Sequence, residues 1–199
     1  VQATGPRERD DVVRAYAGAA AALVADDEPR SVELLEWAKA VAPRSAAIRE
    51  LLGVARYRAG DFAVAHRELL AYRRLSGRHD QNHLLADCAR ATGHPDKVGE
   101  YVAEMQRHAV PEDRLVEGLI VLAAARAEGG ELREALGVLE GAGLRPTRVE
   151  SWHPRLWYAA ADLYERAGDP DQAREYLEAI AAVDEDLLDV TERLRALGG

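Results

Sequence analysis

Apolar residues recur at every third or fourth position along most of the chain, in runs of about 11 to 17 residues, and strict alternation is rare. Short acidic or glycine turns separate the runs: Asp26-Asp27-Glu28, Gly60-Asp61-Phe62, Gly93-His94-Pro95, Gly130-Glu131-Leu132 and Gly168-Asp169-Pro170. Their first residues are spaced by 34, 33, 37 and 38 positions. Each turn has the chemistry of one helix ending and another starting. Glycine tolerates the left-handed conformation that ends a helix. Asp61 and Asp169 are placed to accept from the free N–H groups of the next helix. Pro29, Pro95 and Pro170 suit a first helical position, where no N–H is needed. Five turns therefore predict five helix hairpins. Their first helices fall over 8–25, 45–59, 79–92, 112–128 and 154–167, with partners over 29–41, 62–75, 95–108, 131–141 and 170–182. A last helix over 185–197, carrying Leu187, Leu188, Val190, Leu194 and Leu197, would cap the end of the stack.

The residues inside the runs carry a second pattern. The fifth hairpin reads Trp157, Ala160-Ala161, Tyr164, Gly168-Asp169, Ala173, Leu177. The second reads Leu52-Gly53, Tyr57, Gly60-Asp61-Phe62, Ala65, Leu69, and the fourth Leu119, Leu122-Ala123, Gly130, Ala135, Leu139, Ala142. The first supplies Ala19, Ala22, Ser31, Leu35, Ala38 and Pro43. The third is weakest, with Leu85-Ala86, Ala89, Gly93, Val98 and Val102, and Asn82 where a large apolar residue is usual. This chain resembles the tetratricopeptide repeat (TPR) family, whose unit is a 34-residue helix–turn–helix. The resemblance implies an all-α fold: a right-handed α-α superhelix, or solenoid, of about five TPR-like hairpins plus a C-terminal capping helix. It implies one repeat domain over 1–199, with units near 12–45, 46–78, 79–110, 112–145 and 154–184 and the cap at 185–197. Small residues such as Gly53, Ala86, Ala123 and Ala161 let paired helices approach, and Leu52, Leu122 and Trp157 are expected as buried anchors. Two links exceed the repeat, one at Val110-Pro111 and one over 141–154. Trp152 in the second is expected to fold back over the stack, and the open alternative makes that loop part of a binding surface.

Composition narrows the class. With 48% hydrophobic and 31% charged residues, the chain is too apolar for disorder and too charged for a membrane protein. Its formal net charge of −9 repels phosphate backbones, which argues against nucleic acid as a partner. Cys88 is the single cysteine, so no internal disulfide forms, and a reducing, cytoplasmic setting is expected. Among basic residues Arg outnumbers Lys 24 to 2, as in a GC-rich bacterial genome. No apolar run reaches the ~20 residues that span a bilayer, so no membrane partner is expected.

Chemistry is sparse. Neither GxxxxGK[ST], GxGxxG, GxSxG nor HExxH occurs, and no enzyme activity or cofactor is implied. Cys88 lies beside Asp87, whose charge disfavours a thiolate. His79, His83 and Asp87 would share a helix face at i, i+4 and i+8, but no fourth ligand has suitable spacing, and they read as a polar face rather than a metal site.

The resemblance locates a binding surface on the first helices of the hairpins. Carried over by register, its residues are Tyr16, Glu50, Val54, Tyr57, His83, Asp87, Arg90, Tyr158, Asp162 and Glu165. The mixture of aromatic and acidic groups fits a basic or amphipathic protein or peptide. The basic clamp with which some family members grip a chaperone's terminal carboxylate is absent: Tyr16, Ala20, Leu51, Asp80 and Leu84 hold its places. The expected function is a non-enzymatic scaffold or adaptor. The alternative, kept open by the start at Val1 without Met, is the helical-repeat portion of a larger regulator or enzyme.

Overall fold

The computed structural model describes residues 6–184 and 186–197, and among them every regular element is a helix. Packing divides the chain into two compact units, 1–97 and 98–199. The first holds α1 (Pro6–Val24), α2 (Glu28–Val41), α3 (Ala46–Arg58), α4 (Phe62–Ser76), α5 (Asn82–Ala91) and a 3₁₀ turn (Pro95–Lys97). The second holds α6 (Val98–Arg107), α7 (Glu112–Glu128), α8 (Leu132–Gly141), α9 (His153–Arg166), α10 (Pro170–Ala181) and α11 (Val190–Leu197). Antiparallel hairpins α1/α2, α3/α4, α7/α8 and α9/α10 make the most extensive contacts.

The turns explain the hairpins. Gly60, Gly93, Gly130 and Gly168 all sit at φ between 78° and 85°, and Asp26 takes the equivalent place at φ 54°. A side chain there strains the backbone, which is why four of the five positions are glycine. Asp27 and Asp169 accept from Arg30 N and Gln172 N at 3.0 and 3.1 Å, capping α2 and α10. The helix ends are closed from outside as well. Arg58 Nη1 donates to Leu23 O at 2.8 Å, and Arg166 Nη2 to Ala127 O at 3.0 Å. In each case an arginine two places before the turn residue reaches back to a carbonyl at the end of the preceding hairpin's first helix, one that also accepts a turn N–H, where a cation is favoured.

Small residues stand where helices cross. Ala19, Ala86, Ala123 and Ala161 are buried, and so is Gly53. A Cβ on Gly53 would meet Leu69 Cγ at 2.6 Å, so α3 and α4 approach more closely there than alanine allows. Leu35, Leu69, Leu139 and Leu177 are fully buried on the second helices. Ser31 is also fully buried, at the place where the other hairpins of these units carry Ala65, Ala135 and Ala173. Its hydroxyl finds no hydrogen-bond partner. Ser31→Ala is therefore expected to stabilise the protein by about 1 kcal/mol, from the removed desolvation cost and the better helix propensity. Urea unfolding reads the change, and a loss of stability would mean that the hydroxyl is bonded.

Four expectations shift. Helix α5 begins at Asn82 rather than 79: Gly77 at φ 71° ends α4, and Asp80 is held by the Tyr72 hydroxyl at 2.8 Å and by Arg78, leaving 77–81 outside the helix. The segment after Gly93 opens as the 3₁₀ turn and becomes α-helical only at Val98. The last helix starts at Val190 rather than 185, because Leu188 is left-handed at φ 52°; residue 185 itself lies outside the described residues. Leu122 is half-buried and stands apart from the core that takes Ala123 and Trp157.

Candidate functional site

In the first unit, α1 lies beside α3 and α3 beside α5, so the first helices share one side. Tyr16, on α1, is half-buried against the same core as Leu51 and Val54. Glu50, on α3, accepts from Gln81 Nε2 at 2.8 Å, just before α5. Further along the face, Tyr57 donates to Asp87 Oδ2 at 2.6 Å. Asp87 Oδ1 also takes Arg90 Nε at 2.9 Å and Nη2 at 2.7 Å. The Tyr57 ring packs edge-on to Phe62, with centroids 5.6 Å apart. These candidates are brought together, but as a hydrogen-bonded strap between successive hairpins. His83 is only 6% exposed, with Nδ1 3.1 Å from Asp80 O, so it props the face from beneath.

The second unit repeats the device. Here α7 lies beside α9, and Glu117 pairs with Arg155 at 2.7 Å across them. Tyr158 donates to Asp189 Oδ1 at 2.7 Å, thirty-one residues on, as Tyr57 reaches Asp87 thirty residues on. Arg193, on α11, sits 4.9 Å over the Tyr158 ring and pairs with Glu165 at 3.0 Å. Burial and the Asp189 hydrogen bond push the Tyr158 phenol above its ordinary pKa, against Arg193. Helix α11 thus meets α9 through Tyr158 much as α5 meets α3 through Tyr57. Asp162 is exposed, its nearest cation Arg166 Nη1 at 3.7 Å.

The link over 142–152 is built around Trp157. Its Nε1 donates to Leu144 O at 2.8 Å, and Leu144 is buried. His153 lies 5.5 Å from the Trp157 ring and 5.7 Å from Trp152, which packs on the core half-buried. The aromatic stack is a staple, as expected of Trp152 folded back over the hairpins.

Little here can do chemistry. Cys88 is fully buried, and burial with the neighbouring Asp87 pushes its thiol up to about 12, far from a thiolate at neutral pH. His79 precedes α5 and so does not share a helical face with His83 and Asp87. Among the described residues no three His, Cys, Asp or Glu side chains converge to hold a metal, and no helix is long and apolar enough to cross a membrane.

Paired helices, glycine turns at a fixed place and small residues at each crossing define a helix-hairpin repeat protein. The TPR family model matches residues 154–195, and the chain has the TPR fold. The thermophilic TPR protein TTC0263 of Thermus thermophilus superposes with a TM-score of 0.69 at 14% identity, over 96% of this chain and 98% of that one. The repeats of a putative kinesin light chain from Podosopora anserina give 0.63 at 20%, over 94% and 97%. YrrB, described as a TPR protein with an unusual peptide-binding site, gives 0.59 at 15%, over 96% and 94%. No curated protein matches the chain in sequence.

Proposed function

We propose that this protein is a non-enzymatic scaffold that binds a protein or peptide along its first-helix faces. The observation that supports this most is the recurrence of one strap in both units: Tyr57 of α3 bonds Asp87 of α5, and Tyr158 of α9 bonds Asp189 just before the capping helix, each presenting aromatic and acidic groups side by side. Prestrapped side chains lose little entropy on binding, which is how a rigid repeat surface gains affinity. The similar fold of YrrB, with its peptide-binding site, points the same way. The presented set is Tyr16, Glu50, Val54, Tyr57, Asp87 and Arg90 in the first unit, with Tyr158, Asp162 and Glu165 in the second. A basic or amphipathic segment complements it.

The strap decides which variants are informative. Asp87→Arg would break the Tyr57 and Arg90 contacts and confuse binding with folding. Asp162→Arg alters an exposed place, and Val54→Ala trims a half-buried side chain without setting a charge against the core. With a partner captured from the source organism, each is expected to weaken binding about tenfold while the melting temperature stays within a few degrees. Affinity should also fall as salt rises, because rim charges are screened over ~8–10 Å at ordinary ionic strength. Parental affinity in both variants would remove the first-helix faces from the binding surface.

A further inference from the structure

The charge of the chain is not spread evenly. Residues 1–97 carry 15 Lys and Arg against 14 Asp and Glu, whereas residues 98–199 carry 11 against 21, net charges of +1 and −10. Within that acidic unit, away from the first-helix face, lies a cleft of about 530 Å³. It exists because the link after α8 is longer than the repeat needs. Leu144 and Arg145 of the link form one wall, Glu140 of α8 the edge, and Tyr164 of α9 with Gln172 and Tyr176 of α10 the other side. Tyr164 and Tyr176 stack nearly parallel, with centroids 5.6 Å apart and planes 16° apart.

The polar atoms of this cleft are mostly acceptors. Tyr164 donates to Glu140 Oε1 only at 3.4 Å, which leaves that carboxylate weakly engaged. The amide nitrogen of Gln172 is spent on Glu175 at 2.9 Å, so its carbonyl faces the cleft as an acceptor. One group answers these acceptors, the guanidinium of Arg145. It reaches Gln172 Oε1 and Glu175 Oε1 at 3.4 Å each, and the Tyr176 hydroxyl. The Gln172 and Glu175 contacts are long for charge-assisted bonds, which run near 2.7–2.9 Å, and the Arg145 side chain is 70% exposed. The chain has laid one of its own arginines loosely over a site that suits an arginine.

We propose that this cleft is a second binding site, taking an arginine side chain from a basic segment of a partner protein, with Arg145 as its internal competitor. A planar guanidinium both stacks on tyrosine rings and bonds several acceptors at once, which the point charge of lysine does not. Anionic ligands are disfavoured by Glu140, Glu175 and the net charge of the unit. The site is independent of the first-helix faces and stands if those fail.

The test uses the whole chain and calorimetric titration at low salt with an N-acetylated, C-amidated Gly-Arg-Gly-Arg-Gly peptide, and its lysine counterpart as control. Arg145→Ala should bind the arginine peptide at least about threefold more tightly than the parent, because the competitor is gone. Glu140→Gln with Glu175→Gln should weaken it about fivefold or more. Glu134→Gln with Glu178→Gln, which remove the same charge from the same two helices outside the cleft, should change it less than about twofold. Circular dichroism melting checks that each variant folds, and Arg145→Gln stands in for Arg145→Ala if the latter does not. Equal losses from both glutamate pairs would reduce the site to general charge attraction and overturn the proposal. So would equal affinity for the lysine peptide, no gain on removing Arg145, or no measurable binding to any of these proteins.

Discussion

Trp157→Ala is expected to lower the stability of the protein by about 3–5 kcal/mol, the range for truncating a large buried aromatic. The ring is 5% exposed in the core of the second unit, against His153. Its indole N–H also holds Leu144 O, and with it the link over 142–152. The two contributions separate in a second variant. Trp157→Phe keeps most of the packing and removes the donor, leaving a buried carbonyl without its partner, for an expected loss of about 1–3 kcal/mol. Thermal unfolding measures both, and at about 2–4 °C per kcal/mol for a chain of this size the alanine variant should melt well below the parent. A shift of only a degree or two would mean that Trp157 is not the anchor of the fifth hairpin.

The second large effect lies in the first unit. Glu68 on α4 is buried, and its carboxylate joins Lys39 Nζ of α2 at 3.1 Å to Arg49 Nη1 of α3 at 2.5 Å. Lys39 continues the chain of charges to Glu36 at 2.5 Å, and Glu36 to Arg56 at 3.0 Å. Removing the buried acid leaves Lys39 on Glu36 alone and Arg49 on the Pro43 carbonyl with no acid partner, and each cation keeps only 22% side-chain exposure. Breaking a buried pair costs about 3–5 kcal/mol, and partial exposure of the cations brings the expected loss for Glu68→Leu to about 2–4 kcal/mol. Arg49→Met in the Glu68→Leu background should recover part of the loss, because the cation left without an acid partner is then gone. If Glu68→Leu alone matched the parent in urea, the network would contribute nothing. Acid should weaken the same region. Burial raises the pKa of Glu36, but the hydrogen bonds and charges of Lys39 and Arg56 outweigh it and hold the carboxyl below its ordinary 4.5. A lowered folded-state pKa stabilises above the unfolded value, so this contribution is present above about pH 4.5 and disappears as pH falls through the folded value. Glu36→Gln should therefore flatten the acid limb of the stability curve.

The boundaries of most helices were legible in the sequence because local chemistry sets them. A residue at positive φ must be glycine or be strained, so turns at Gly60, Gly130 and Gly168 announce themselves. The capping expected of Asp169 is made, whereas Asp61 makes no cap bond to α4 and takes Arg56 Nη1 at 2.7 Å instead. Where tertiary partners reach into a boundary, local rules gave way. Asp80 is held by Tyr72 and Arg78, and α5 starts three residues late. Leu122 and Trp157 both read as anchors, yet only Trp157 is buried, because the link over 142–152 wraps it. Register placed Tyr57, Asp87, Tyr158 and Glu165 on first helices. It did not disclose that Tyr57 bonds Asp87, that Arg193 of the last helix joins Tyr158 to Glu165, or that His83 is turned inward.

What this sequence determined by itself was therefore its periodic part: helices, turns, and the small and large residues that recur at each crossing. Those depend on φ, on capping and on a 3.6-residue period, all properties of neighbours along the chain. What only the tertiary structure decided was which polar groups meet. The arginine caps on Leu23 and Ala127, the Tyr–Asp straps and the Trp157 bond that holds the link join residues 13 to 39 positions apart. Hydrogen bonds at that separation depend on helix crossings and rotamers to within a few tenths of an ångström, which no periodicity encodes.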